Sequence, residues 1–142
     1  MRHLFTVTLA AAFCAPAHAQ SPNMKEGLWE MVTKMEMAGM PSMPPQTMQR
    51  CVTKADLADP TKTTPGAQGD KQCKISDYKL SGNTASWKVA CAGESGMTGT
   101  GSITYAGTSY NGTQTMSMKV DGKPHNMTMN FSARHLGDCK KP

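Results

Sequence analysis

Thirteen methionines in 142 residues give this chain a large store of thioether sulfur. Thioethers are soft ligands that suit Cu(I), and by the same softness they are adaptable fillers of irregular apolar cores. Eleven of the methionines fall into two sets. The first, Met31, Met35, Met37, Met40, Met43 and Met48, surrounds a proline-rich stretch. Within it Met35, Met37, Met40 and Met43 recur at the short intervals of methionine-rich copper segments. The second set is Met97, Met116, Met118, Met127 and Met129. There His125-x-Met127-x-Met129 puts an imidazole and two thioethers on one face of a strand. An inward methionine on a strand ordinarily fills core, and that reading stands ahead of Cu(I) or Ag(I) binding for the second set. Met40 and Met43 have less reason to be buried.

Cysteine chemistry is the next resource. Cys51, Cys73, Cys91 and Cys139 follow the N-terminal segment that holds Cys14. No Cys-x-x-Cys pair exists, so a zinc site is the weaker reading and two disulfides the stronger. Residues 74–90 read as two strand-like runs around Ser81-Gly82-Asn83. With Gly82 central, Cys73 faces Cys91, Ile75 faces Val89 and Asp77 faces Trp87. Cys51 then pairs with Cys139.

The catalytic inventory is thin. His125 and His135 are the histidines outside the N-terminal segment. Asp138 lies near His135 but no nucleophile elbow accompanies them, and no phosphate-binding or dinucleotide fingerprint occurs. The expectation is that the protein is not an enzyme and needs no cofactor, Cu(I) being the alternative.

Residues 1–19 carry Arg2, an apolar run over 4–13 and Ala17-His18-Ala19, the pattern of a cleaved secretory signal peptide. The run is too short to span a bilayer, which takes about 20 residues. The formal charge is +5, with lysines dispersed except for Lys140-Lys141. Dispersed charge on an exported chain gives little reason to bind nucleic acid. A periplasmic or secreted location is expected, with residues 20–26 as a loose leader and 27–142 as one disulfide-stapled domain.

The elements that would position these groups are strands. Trp29, Met31, Thr33, Met35 and Met37 alternate with Glu30, Val32, Lys34 and Glu36, a period of two. Residues 39–46 contain three prolines and form a loop. Residues 47–52 read as a short strand. Thr53 with Asp56 is a helix start, predicting one short helix near residue 55 that stops before Pro60. Residues 61–71 read as loop. Strand-like runs follow at 97–105, 109–120 and 124–134. Gly107-Thr108 suits a type II′ turn and Asp121-Gly122 a type I′ turn. These two turns put Met116 opposite Met127, Met118 opposite His125, and Gln114 opposite Met129. Apolar residues then share one face, while Thr98, Thr100, Thr113, Thr115, Asn126, Thr128 and Asn130 share the other. The predicted fold is mainly β: an antiparallel sandwich or partly closed barrel, built from a meander of about seven strands.

Several stretches together carry a family resemblance. They are GLWEMVTKMEMAGMPSMPP at 27–45, Cys51-Val52-Thr53 opening a helix, Cys73 and Cys91 around SGNTASW, MTGTG at 97–101, and a terminal GDC at 137–139. The chain resembles the exported bacterial family catalogued as domain of unknown function 3617. The resemblance implies a β-rich periplasmic or secreted protein of a Gram-negative bacterium, and brings no activity or site residues. Locally, MTMNF at 127–131 looks like the ligand strand of small periplasmic copper-binding barrels. The leading expectation is a non-enzymatic binding or structural module. Its inner face, with Trp29, Met31, Met116, Met118, Met127 and Phe131, would hold a small apolar ligand. The alternative is Cu(I) or Ag(I) sequestration by Met35, Met37, Met40, Met43, His125 and Met129. A protein partner at the proline loop is a third use of the surface, and the residues name none.

Overall fold

The computed structural model describes residues 21–65, 72–93 and 96–139. The expected signal peptide at 1–19 lies outside the described residues. Seven strands form one antiparallel sheet: β1 (Gly27–Met37), β2 (Gln46–Val52), β3 (Cys73–Ser81), β4 (Thr84–Cys91), β5 (Thr98–Tyr105), β6 (Ser109–Val120) and β7 (Lys123–Gly137). Their order is β2-β1-β7-β6-β5-β4-β3. The mainly β architecture is as the sequence predicts. The edge strands β2 and β3 do not pair with each other, so the sheet is open.

The two turns that set the meander act as their residues dictate. Gly107 has φ 77°, and Tyr105 pairs with Tyr110 across it. Asp121 and Gly122 both have positive φ, 51° and 74°, as a type I′ turn requires, and Val120 pairs with Lys123. From these, the β5–β6 and β6–β7 registers follow residue for residue. Trp29, Ala85 and Ile103 are fully buried. One sheet with two short helices can bury a face this well only by coiling over it. Glycine permits the tightest contact: Gly101 pairs directly with Trp87, and a Cβ there would overlap the indole ring.

The β3–β4 hairpin corrects the expected register in one place. Ser81 pairs with Thr84, so Gly82-Asn83 is a two-residue turn rather than one centred on Gly82. A bulge between Ser76 and Lys79 then restores the offset, and Cys73 pairs with Cys91 and Ile75 with Val89 as expected. Asp77 does not face Trp87 alone, because Asp77 and Tyr78 together oppose it. Asp77 takes φ 51° and swings out to Lys88 Nζ at 2.8 Å. The extra residue flips the alternation, so Cys73 and Ile75 point inward before it, Tyr78 and Leu80 after it.

Between β2 and β3 lie α1 (Lys54–Leu57) and α2 (Pro60–Thr63). Thr53 caps α1 with a full capping box: Asp56 N–H donates to Thr53 Oγ1, and Thr53 N–H donates to Asp56 Oδ2 at 2.9 Å. The first helix is where the sequence puts it. The second is not in the expected loop-only reading, and it begins at Pro60, whose fixed φ and missing N–H suit a first helical position. The hydrogen bonds from Thr53 hold the Asp56 carboxyl below its ordinary value of 3.8. A depressed folded pKa contributes stability that is complete above the unfolded value and fades as pH falls through the folded one. Thr53→Ala is therefore expected to cost about 1 kcal/mol at neutral pH. The gap between Thr53→Ala and wild type should narrow as pH drops below 3.8, read by urea melts across pH.

Residues 22–25, read as part of a loose leader, are pinned to the β5–β6 turn. Lys25 N–H donates to Gly107 O, and Gly107 N–H donates to Asn23 O. Two disulfides join Cys73 to Cys91 and Cys51 to Cys139, the pairing expected. Among the described residues no helix is long and apolar enough to cross a membrane.

Candidate functional site

The inner face is a grid of cross-strand rows. Met31 pairs with Met48 on one side and Ala133 on the other, and Ala133 pairs with Tyr110. The next row is Thr33, Phe131 and Gly112; then come Met35, Met129 and Gln114; then Met37, Met127 and Met116. Beyond them His125 pairs with Met118. The period-two pattern of β1 thus aligns its methionines with those of β6 and β7.

The structure regroups the sequence-predicted residues. Met35 and Met37 do not belong with the loop set, because they continue β1 and share rows with Met129 and Met127. Met40 and Met43 stay in the proline loop, 60% and 40% exposed, and so the closely spaced four-methionine segment is split between strand and loop. Of the ligand-facing candidates, Trp29, Met116 and Phe131 are buried, whereas Met31, Met118 and Met127 are half-buried. His125 is exposed.

At one end of this face sits an aromatic nest. Trp29 stacks on Tyr110 with centroids 5.7 Å apart and meets the His135 ring edge-on at 5.5 Å. Its indole N–H donates to Lys25 O at 2.9 Å. His135 is also 3.0 Å from Glu26 O through Nε2, so both of its contacts are structural. Burial pushes the Tyr110 phenol up to about 12, opposed by the nearby Arg50 charge. It is therefore neutral at ordinary pH and offers one uncharged O–H beside an apolar wall.

Gln114 was not among the expected site residues, yet it is 1% exposed in the middle of the sheet. Trp87 Nε1–H donates to Gln114 Oε1 at 3.3 Å, and Gln114 Nε2–H donates to the Met116 sulfur at 2.9 Å. An inward polar residue in the midst of apolar ones was the available clue. Satisfied amide ends explain how it tolerates burial.

A cavity of about 250 Å³ opens on this face, lined by Met31, Thr33, Met48, Tyr110, Met129 and Phe131. Thr63 and Pro65, at and after the end of α2, form its other wall. That wall is fastened through Arg50, which donates to Lys62 O at 3.0 Å and approaches Asp56 Oδ1 at 3.9 Å. Its volume falls just under the ~300–1,000 Å³ of drug-sized sites. It suits a small molecule or the end of a chain. A larger hollow of about 470 Å³ lies on the opposite, polar face among Lys88, Thr98, Thr100, Thr115 and Ser117. That hollow is a shallow, open groove over the threonine rows, so size alone does not make it the site.

The family described as protein of unknown function (DUF3617) matches residues 24–139. No curated protein and no solved structure matches the chain.

Proposed function

This chain belongs to the DUF3617 family, and from that premise and the geometry of its inner face we propose that it is a non-enzymatic binding module of the periplasm or exterior that holds a small apolar ligand. The observation that carries the reading is the 250 Å³ recess between the sheet and α2. Thioether and aromatic walls there provide adaptable apolar contact. The hydroxyls of Thr33 and Tyr110 offer a few uncharged polar groups, which favours a neutral ligand or an amphiphile with one polar end. The two disulfides and the signal-like N-terminus support an oxidising compartment. The histidines support a non-catalytic role, since His135 is engaged with Trp29 and Glu26 and His125 stands apart on the β6–β7 side.

The test uses the environment-sensitive dye 1-anilinonaphthalene-8-sulfonate's uncharged analogue, N-phenyl-1-naphthylamine, with tryptophan fluorescence as a second readout. Saturable one-to-one binding is expected, displaced by medium-chain alcohols. Thr33→Phe should fill the recess and weaken binding at least tenfold, while leaving the circular dichroism spectrum unchanged. Absence of saturable binding, or equal affinity in Thr33→Phe, would refute the recess as a ligand site.

A further inference from the structure

The apolar recess leaves one feature of the inner face unused. Past Met35 and Met129, the face carries Met37, Met127, Met118 and His125 where β1 and β6 end and β7 begins. Met35, Met37 and Met118 belong neither to the buried core nor to the side chains packed against it. Filling the core therefore does not account for them. A strand face that leaves the core normally turns polar. Here it turns to half-buried thioethers and ends in an exposed imidazole.

We propose that Met37, Met127, Met118 and His125, flanked by Met35 and Met129, form a binding site for a soft monovalent d¹⁰ cation, Cu(I) or Ag(I). Directly opposite strand residues have Cβ atoms about 4.5–5.5 Å apart. Met37 and Met127 are such a pair, as are Met118 and His125. Each methionine has three rotatable bonds, so sulfurs from neighbouring rows can converge on one ion. The Met116 sulfur is excluded because it already accepts from Gln114. Donor softness sets selectivity: thioether and imidazole suit Cu(I), whereas hard divalent cations need oxygen ligands. Among the described residues no group of three or more His, Cys, Asp or Glu could hold a metal ion. The cation binds without change of oxidation state, and the thioethers and neutral imidazole donate lone pairs with no redox partner.

The test is titration of the disulfide-bonded protein with Ag(I), which is redox-inert, while the methionine methyl groups are followed by carbon-13 NMR. One equivalent should shift Met37, Met118 and Met127 and leave Met40 and Met43 in place. Zn(II) should shift none of them. Met37→Leu/Met118→Leu/Met127→Leu is close to volume-conserving and replaces no recess-lining residue. It should weaken Ag(I) at least a hundredfold yet keep naphthylamine binding. Met40→Leu/Met43→Leu/Met48→Leu should keep Ag(I) affinity. Uniform shifts of all methionines, shifts confined to Met40, Met43 and Met48, or unchanged affinity in the strand variant would each overturn the assignment. Because the wild-type titration locates the ion by itself, a strand variant that fails to fold does not remove the test.

Discussion

Gly101→Ala is expected to lower stability by about 2–4 kcal/mol, more than a glycine-to-alanine change in a strand normally would. On propensity alone, alanine should be the better residue, because glycine loses more freedom on folding. The opposite sign is expected here because a Cβ at Gly101 would overlap three atoms of the Trp87 ring. That ring is 2% exposed, and its N–H is tied to Gln114. It cannot move without breaking the contact that satisfies a buried amide, which adds the cost of an unpaired polar group. A double-mutant cycle separates the terms. In a Trp87→Leu background the overlap is absent, so Gly101→Ala should cost well under 1 kcal/mol. Equal costs in the two backgrounds would mean that the close approach to the indole is not the cause.

Removing the Cys51–Cys139 disulfide is the other large effect. It spans 88 residues, against 18 for Cys73–Cys91. On the loop-entropy model the long closure contributes about 4–5 kcal/mol and the short one about 3. The long bond also joins the end of edge strand β2 to the segment just after β7, the two strands that flank β1. Cys51→Ala/Cys139→Ala should lower Tm by roughly 15 °C or more. Cys73→Ala/Cys91→Ala should lower it less, since the β3–β4 ladder already holds those residues opposite each other. Melting curves of the two double variants, with the same larger loss in urea midpoint, check the ranking. A smaller loss for the 51–139 pair would place most of the gain in local geometry rather than in loop closure.

Legibility in the sequence tracked the range of the interaction responsible. The β5–β6–β7 registers were readable because Gly107-Thr108 and Asp121-Gly122 each fix a turn locally, and alternation does the rest. The cysteine pairing was readable because Cys73 and Cys91 flank one hairpin and leave one other pair. The Asp77 bulge was not, since nothing beside Asp77 marks it. It is imposed by the need to turn both Ile75 and Tyr78 toward the same core. Helix α2 was hidden by Pro60, which reads as a stop and serves as a start. The wall of the recess depends on Arg50 reaching Lys62 across sequence, which no local pattern encodes. For the site, the strand methionines were legible as a face. Met37 and Met40 were grouped by their short spacing, although the period-two strand ends and the proline loop begins between them.

An open sheet is in principle extensible, since each edge offers unpaired backbone groups to any chain that can lie flat against it. At β3 that invitation is withdrawn by the same residue that corrects the core. Asp77 bends the strand and places its carboxylate against Lys88, while Lys74 and Lys79 stand exposed on either side. A second chain approaching this edge meets a kinked backbone and a row of charges instead of a straight template. One inserted residue therefore both turns Tyr78 inward and leaves the β3 edge a poor template for another strand.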